Sequence, residues 1–332
     1  MQRIGVIGGG AWGTALAQVL RRVDRDVVIW AREPEIVDAI NRSHANPLFL
    51  PDVAIDPGIV ATSELGVAAR ADGLLLTVPA QYLREICLAL APHTPAHTPV
   101  VICTKGIEEG SGALMSEVVT ASLPQATLAV LSGPTFAGEV ARGLPTAVTL
   151  AASDAALGQR LITALGTRAF RPYLSDDVTG AQVGGAVKNV MAIACGIVMG
   201  RGMGDNARAA LVTRGLAEMV RLALAKGGKA ETLMGLSGLG DLTLTCSSTQ
   251  SRNHALGLAL GKGANLAQFL AERRSVAEGV SSSAAAATLA RSLHVDMPIV
   301  FAIDAILHHG GDIDHVIEGL LARPFKAETP SA

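Results

Sequence analysis

The sequence predicts an α/β N-terminal domain built on a parallel sheet, followed by an all-α C-terminal domain. Three observations carry that reading. Ile4-Gly5-Val6-Ile7 is an apolar strand that runs straight into a glycine turn at Gly8, Gly10 and Gly13, and the run Thr14 to Leu20 continues it as a helix. Short strands then alternate with helical patterns through the first half, the mark of a parallel sheet covered on both faces. Past about Ser175 the strand-like runs almost vanish, and Ala, Leu and Gly recur at helical spacing. At 332 residues the chain has room for two domains, taken as 1–178 and 179–332.

The opening strand, turn and helix have the order that a Rossmann-type dinucleotide fingerprint requires. Gly8 permits the tight turn, Gly10 lets the backbone approach a pyrophosphate, and Gly13 lets the helix pack close to the strand. The helix N-terminus offers free N–H groups and a positive dipole end to phosphates. Val27-Val28-Ile29-Trp30 is the second strand, and Pro34 to Asn41 reads as a helix. His44 to Pro57, rich in Pro and polar residues, reads as a long loop. Leu74 to Val78 is the third strand, followed by Pro79 and a helix around Tyr82 to Leu90. Val100 to Cys103, Leu128 to Leu131 and Ala147 to Leu150 are the fourth, fifth and sixth.

In the second half, Val183 to Met199, Ala207 to Lys226, Asn265 to Glu272, Ser282 to Leu293 and Ile299 to Leu307 read as helices. Asp205 and Asn206 are N-cap candidates for the second of them. Lys326 to Ala332 reads as a disordered tail.

Composition excludes several classes of function. The net charge is −2, without a basic block for nucleic acid or an acidic arm. Aromatics make up 3%, too few for a base-stacking surface. The longest uncharged run, near Val190 to Gly200, is shorter than the ~20 residues of a membrane span, and no secretory leader is expected ahead of the first strand. Cys87, Cys103, Cys195 and Cys246 form no CxxC pair and have no zinc-like spacing, so a reduced, cytoplasmic setting fits. His93 and His97 are separated by prolines that forbid an aligning helix, and no metal site is expected.

Candidate chemistry falls at strand ends and in one helix. After the second strand comes Arg32, suited to the 2′-phosphate of NADP, and then Glu33, which keeps the ribose hydroxyl of NAD in play. Lys105 follows the fourth strand, and Gly133 and Thr135 follow the fifth, on the rim where open parallel sheets bind ligands. Lys188-Asn189 lies within an apolar helix, where a lysine is costly to bury without partners and readily tuned for acid–base work. The bland alternative is a lysine snorkelling from one helix face. Gly235 to Asp241 reads as a glycine-rich loop presenting one acid that would tune a lysine, with Asn189 helping to hold it. Thr245 and the run Ser247 to Asn253 come next. Arg252 and Asn253, with Thr245 beside them, suit a phosphate clamp, although such a run is equally a plain polar loop.

These motifs together resemble bacterial NAD(P)-dependent glycerol-3-phosphate dehydrogenase. The resemblance rests on Gly8 to Ala17, Cys103 to Gly106, Leu131 to Ala137, Val187 to Val190, Gly204 to Ala210, Gly238 to Leu242, Ser251 to Asn253 and Val276 to Gly279, in order along nearly the whole chain. It implies reversible reduction of dihydroxyacetone phosphate to sn-glycerol 3-phosphate, with Lys188 as proton donor and acceptor and Asp241 and Asn189 beside it. It places Lys105, Gly133, Thr135, Lys188, Asp241, Thr245, Ser251, Arg252 and Asn253 around the substrate. It places Gly8, Gly10, Ala11, Trp12, Gly13, Arg32, Lys105, Ala137, Arg252, Val276 and Glu278 at the cofactor, NADP or NAD, and it implies a homodimer. Two positions depart from the family pattern: Ala11 stands where a hydroxyl residue is frequent, and Thr135 where Ser is usual. A hydroxy-acid dehydrogenase of the same architecture and a non-catalytic NAD(P) sensor remain the rival readings of the residues alone.

Overall fold

The computed structural model describes residues 1–271 and 277–325. Its first half folds around one eight-stranded sheet: β1 Arg3–Ile7, β2 Asp26–Trp30, β3 Ile59–Thr62, β4 Gly73–Leu76, β5 Pro99–Ile102, β6 Thr127–Ser132, β7 Thr146–Ala151 and β8 Phe170–Ser175. The order is β3-β2-β1-β4-β5-β6-β7-β8. The reversal of strand order beside β1 creates the crevice in which open α/β sheets bind ligands.

Two strands exceed the sequence expectation. β3 is a four-residue edge strand with Val60 exposed, and β8 carries Arg171, Pro172 and an exposed Tyr173. Neither has the continuous apolar run of an interior strand. The sheet is predominantly parallel, as the sequence predicts, with one antiparallel pairing. β7 pairs antiparallel with β6, in the register Leu131↔Leu150, and β8 runs parallel to β7. Six strands therefore run one way and two the other.

Helices cover both faces of the sheet. One face packs Leu16, Leu20, Ile29, Ile36 and Ile40, and the other packs Ile7, Leu76, Leu83 and Leu90. The second half gathers around the helix Val178–Gly200, 23 residues long and buried over most of its circumference. By length and apolarity this helix could cross a membrane, longer than the uncharged run near Val190 indicated, but 89% of its apolar window is buried inside the fold. An apolar helix of this kind is the core around which others pack.

Its main partner, the helix Arg252–Gly261, was not read from the sequence; the polar run Ser247 to Asn253 overlaps only its first two residues. Ser251 starts it by accepting from the His254 N–H, and Leu256, Gly257, Leu260 and Gly261 are buried. The pair approaches through glycines on both sides. A Cβ on Gly196 or Gly200 would run into the carbonyl oxygens of His254 or Leu258, and one on Gly257 or Gly261 into those of Ile193 or Ile197.

Two further local expectations change. The helix Gly204–Ala225 begins at Gly204, so Asp205 sits in its first turn and pairs with Arg208, and neither Asp205 nor Asn206 is the N-cap. The glycine-rich loop is a π-helical turn, Leu236–Gly240, which delivers Asp241 to the first position of the helix Asp241–Ser247. Glu272, Val276 and the tail Lys326 to Ala332 lie outside the described residues.

Candidate active site

The glycine turn comes first because its glycines have separable reasons. Gly8 has φ +127°, a region that favours glycine, and a Cβ there would meet Thr77 Oγ1. A Cβ on Gly13 would run into the Gly8 carbonyl, so Gly13 is needed for helix-on-strand packing. Gly10 differs. Its φ is −72° and its ψ 179°, and nothing lies within 4 Å of where its Cβ would be. The protein itself does not require glycine at position 10, whereas a ligand resting on that backbone does. Gly10 is also the N-cap of the helix Ala11–Arg21 and has no side-chain cap, so the first-turn N–H groups remain open to an anion. Trp12 Nε1 is buried without a hydrogen-bond partner. These features fit the pyrophosphate of a dinucleotide.

Beyond the strand ends lies a lysine–acid–lysine cluster. Lys188, 8% exposed in its side chain, donates from Nζ to Asp241 Oδ1 at 2.5 Å and to Thr245 Oγ1 at 2.9 Å. Lys105, just past β5, donates to Asp241 Oδ2 at 2.7 Å and to the Gly133 carbonyl at 3.0 Å. Thr245 donates in turn to the Asp241 carbonyl at 2.6 Å. Burial pushes the Lys188 ammonium down to about 8; the Asp241 charge opposes that shift, and the Lys105 charge assists it. Gly133 has φ +151°, and its missing side chain leaves room for Val148. Thr135 Oγ1 donates to the Gly133 carbonyl at 3.2 Å.

A second group adjoins the first. Asn253 Nδ2 donates to Asn189 Oδ1 at 2.9 Å, and Asn253 Oδ1 accepts from the Gly279 N–H at 2.9 Å. Asn189 Oδ1 is thus engaged by Asn253. Thr245 is bonded within the lysine cluster. Arg252 is exposed, at the first turn of its helix. Glu278, at the start of the helix Glu278–Ser292, has its carboxyl raised to about 7 by burial, opposed by the nearby Arg252 charge. At the far end of the glycine turn, Arg32 pairs with Glu33 at 3.2 Å and its guanidinium lies 5.9 Å from the centroid of the Tyr82 ring.

Comparison with known proteins decides between the readings of this geometry. Residues 3–158 match the family model described as NAD-dependent glycerol-3-phosphate dehydrogenase N-terminus, and residues 177–318 match the corresponding C-terminus model. The chain belongs to the NAD-dependent glycerol-3-phosphate dehydrogenase family. It is 60% identical over 329 residues to glycerol-3-phosphate dehydrogenase (NAD(P)+) of Rhodospirillum rubrum, covering 99% of this chain and 94% of that one. It is 56% identical to the protein of the same name from Caulobacter vibrioides, covering 98% and 99%. The crystal structure of glycerol-3-phosphate dehydrogenase from Coxiella burnetii superposes with a TM-score of 0.93 at 40% identity, covering 97% of this chain and 99% of that one.

Within this dehydrogenase fold, the residues singled out in the sequence fall into three places. Gly8, Gly10, Ala11, Trp12 and Gly13 form the turn above β1, with Arg32 beyond it and Ala137 opening the helix Ala137–Arg142. Lys105, Gly133, Thr135, Lys188, Asp241 and Thr245 form the cluster. Asn189, Ser251, Arg252, Asn253 and Glu278 form the second group, in which the Ser251 hydroxyl caps the helix. Val276 lies outside the described residues. Tyr82 beneath Arg32 was not read from the sequence, although Pro79, just past a strand end, marks the turn that carries it. Among the described residues, no three His, Cys, Asp or Glu side chains are placed to hold a metal ion.

Proposed function

We propose that this dehydrogenase reversibly reduces dihydroxyacetone phosphate to sn-glycerol 3-phosphate with NAD(P)H, supplying glycerophospholipid synthesis, and that Lys188 is its proton donor and acceptor. The observation that carries the residue assignment is a buried lysine, locked to a buried acid, beyond the strand ends of a dinucleotide domain. The bound cofactor supplies the hydride that reaches the carbonyl carbon. Lys188 meets the carbonyl oxygen as negative charge develops there and gives it the proton, and solvent restores that proton. An ammonium lowered to about 8 is poised for both directions at neutral pH.

Asp241 fixes the orientation of Lys188 and keeps it charged, and Lys105 adds a second cation. Gly133 and Thr135 shape the rim, and Arg252 and Asn253, with Ser251 behind them, hold the substrate phosphate. Binding energy from that phosphate orients the carbonyl for reaction. Gly8, Gly10, Ala11, Trp12, Gly13, Arg32, Lys105, Ala137, Arg252 and Glu278 serve NADP and NAD, and Val276 joins them in this proposal. The domain division is 1–178 and 179–332. A homodimer, checked by light scattering, and a cytoplasmic location complete the reading. The location is supported by four free and buried cysteines.

Lys188→Ala tests the central assignment. Turnover falls by roughly 100- to 10,000-fold, while NADPH fluorescence titration stays near wild type; melting temperature falls, because buried Asp241 keeps only Lys105 as its cation. Near-normal turnover would show a purely structural lysine.

A further inference from the structure

Asn46 lies in the segment His44 to Pro57, where the only regular pairing is the single bridge Asn46–Leu50. Its side chain is nevertheless fully buried, at 0% exposure. Nδ2 donates to the Gly9 carbonyl at 2.8 Å and to Thr14 Oγ1 at 2.9 Å, and Oδ1 accepts from the Phe49 N–H at 3.2 Å. Both amide hydrogens and the carbonyl are engaged, as a buried amide demands.

The same segment is tied along the helix Ala11–Arg21. Gln18 donates to the Ala54 carbonyl at 2.8 Å and accepts from the Asp56 N–H at 2.9 Å, and Arg21 donates to Asp56 Oδ1 at 3.1 Å. Thr14, Gln18 and Arg21 are spaced four and three residues apart, on one face of that helix. The segment is therefore a strap, and Asn46 is its contact with the glycine turn itself. Gly9 stands between two other glycines, so no side chain of the turn sets its peptide orientation. Asn46 supplies that constraint from outside.

We propose that Asn46 is a positioning residue for the dinucleotide: its grip on the Gly9 carbonyl holds the turn in the shape that receives the pyrophosphate. This rests on the assignment of the Gly8–Gly13 turn to the cofactor. A turn ordered before binding does not have to be ordered by the ligand, and the gain appears as affinity. The pyrophosphate is common to NADPH and NADH, so both are affected alike.

The test compares Asn46→Ala, the isosteric Asn46→Asp, which loses both donors, Gln18→Ala, which loosens the strap away from the turn, and Gly10→Ala. Dissociation constants for NADPH and NADH are read by fluorescence titration, together with melting temperature and the KM for dihydroxyacetone phosphate at saturating NADPH. Both Asn46 variants should bind the two cofactors about ten- to a hundredfold more weakly by the same factor, with that KM within about twofold of wild type. Gln18→Ala should lower the melting temperature without weakening the cofactor. Binding that tracks melting temperature across Asn46→Ala, Asn46→Asp and Gln18→Ala would reduce Asn46 to a structural role and overturn the proposal. Gly10→Ala examines the underlying assignment, since its Cβ fits the free protein. If it binds NADPH normally, the turn is not the pyrophosphate site and the proposal falls with that assignment. If Gly10→Ala weakens binding and the Asn46 variants do not, only the role of Asn46 is lost.

Discussion

Lys188 and Lys105 share a single carboxylate. Asp241 Oδ1 lies 2.5 Å from one ammonium and Oδ2 lies 2.7 Å from the other, and Asp241 is wholly buried. One lysine comes from a strand end and the other from the core helix. One buried acid thus holds both ammonium groups in place, and burial brings that of Lys188 down to about 8.

The pH profile should follow Lys188. Reduction needs the ammonium, so kcat/KM for dihydroxyacetone phosphate should fall as pH rises through about 8; oxidation needs the neutral amine and should rise through the same point. Asp241→Asn removes the charge that raises the Lys188 value, so both limbs should move to lower pH. Profiles in both directions check this, and a limb unmoved by Asp241→Asn would defeat it.

Arg32 should discriminate between cofactors. Its side chain is 72% exposed, beyond the end of β2, and steadied by Glu33 and Tyr82. Arg32→Ala should raise the KM for NADPH about ten- to a hundredfold more than that for NADH. Equal effects in parallel steady-state assays would remove Arg32 from the 2′-phosphate site.

Arg252→Lys should fail to rescue the phosphate clamp. The substitution keeps the charge but loses the planar fork. We expect kcat/KM for dihydroxyacetone phosphate to drop about tenfold or more. Full efficiency in a progress-curve assay would place the clamp elsewhere.

Glu218 should govern part of the stability profile. Its buried carboxyl accepts from the Ile299 and Val300 N–H groups at 2.8 and 3.2 Å, at the start of the helix Pro298–His308, and burial raises it from 4.5 to about 7. The native state thus holds a proton that the unfolded chain releases first. Stability is full below about pH 4.5 and declines as pH rises through about 7, by on the order of 3 kcal/mol at most. Glu218→Gln should flatten that decline in melting temperature, though not abolish it, because Glu278 is raised in the same sense. An unchanged slope would show that Glu218 is not the source.

The parts legible in the sequence were those that use unambiguous chemistry. The strand–turn–helix at Gly8 and the lone charge of Lys188 in an apolar run each break the local pattern in a way physics must explain. The helix Arg252–Gly261 was not legible, because its glycines lower helix propensity and its start, Ser251-Arg252-Asn253, reads as a turn. β8 was hidden by Pro172 and by its polar edge position. The partner of Asn189 was invisible for another reason. Asn189 and Asn253 are 64 residues apart, and only the packing of two helices brings them together.

The glycine contact between the helices Val178–Gly200 and Arg252–Gly261 has a mechanical consequence. Peptide groups of one helix rest on peptide groups of the other, so the register between Lys188-Asn189 and Arg252-Asn253 is set by main chain, without rotamers that hop. Neither helix can fray while the other holds, and the two should open as one foldon, with matched amide exchange near Ile193 and Leu258. The spacing of the reacting ends would then be inherited from a rigid joint, one that tolerates no methyl group on either side.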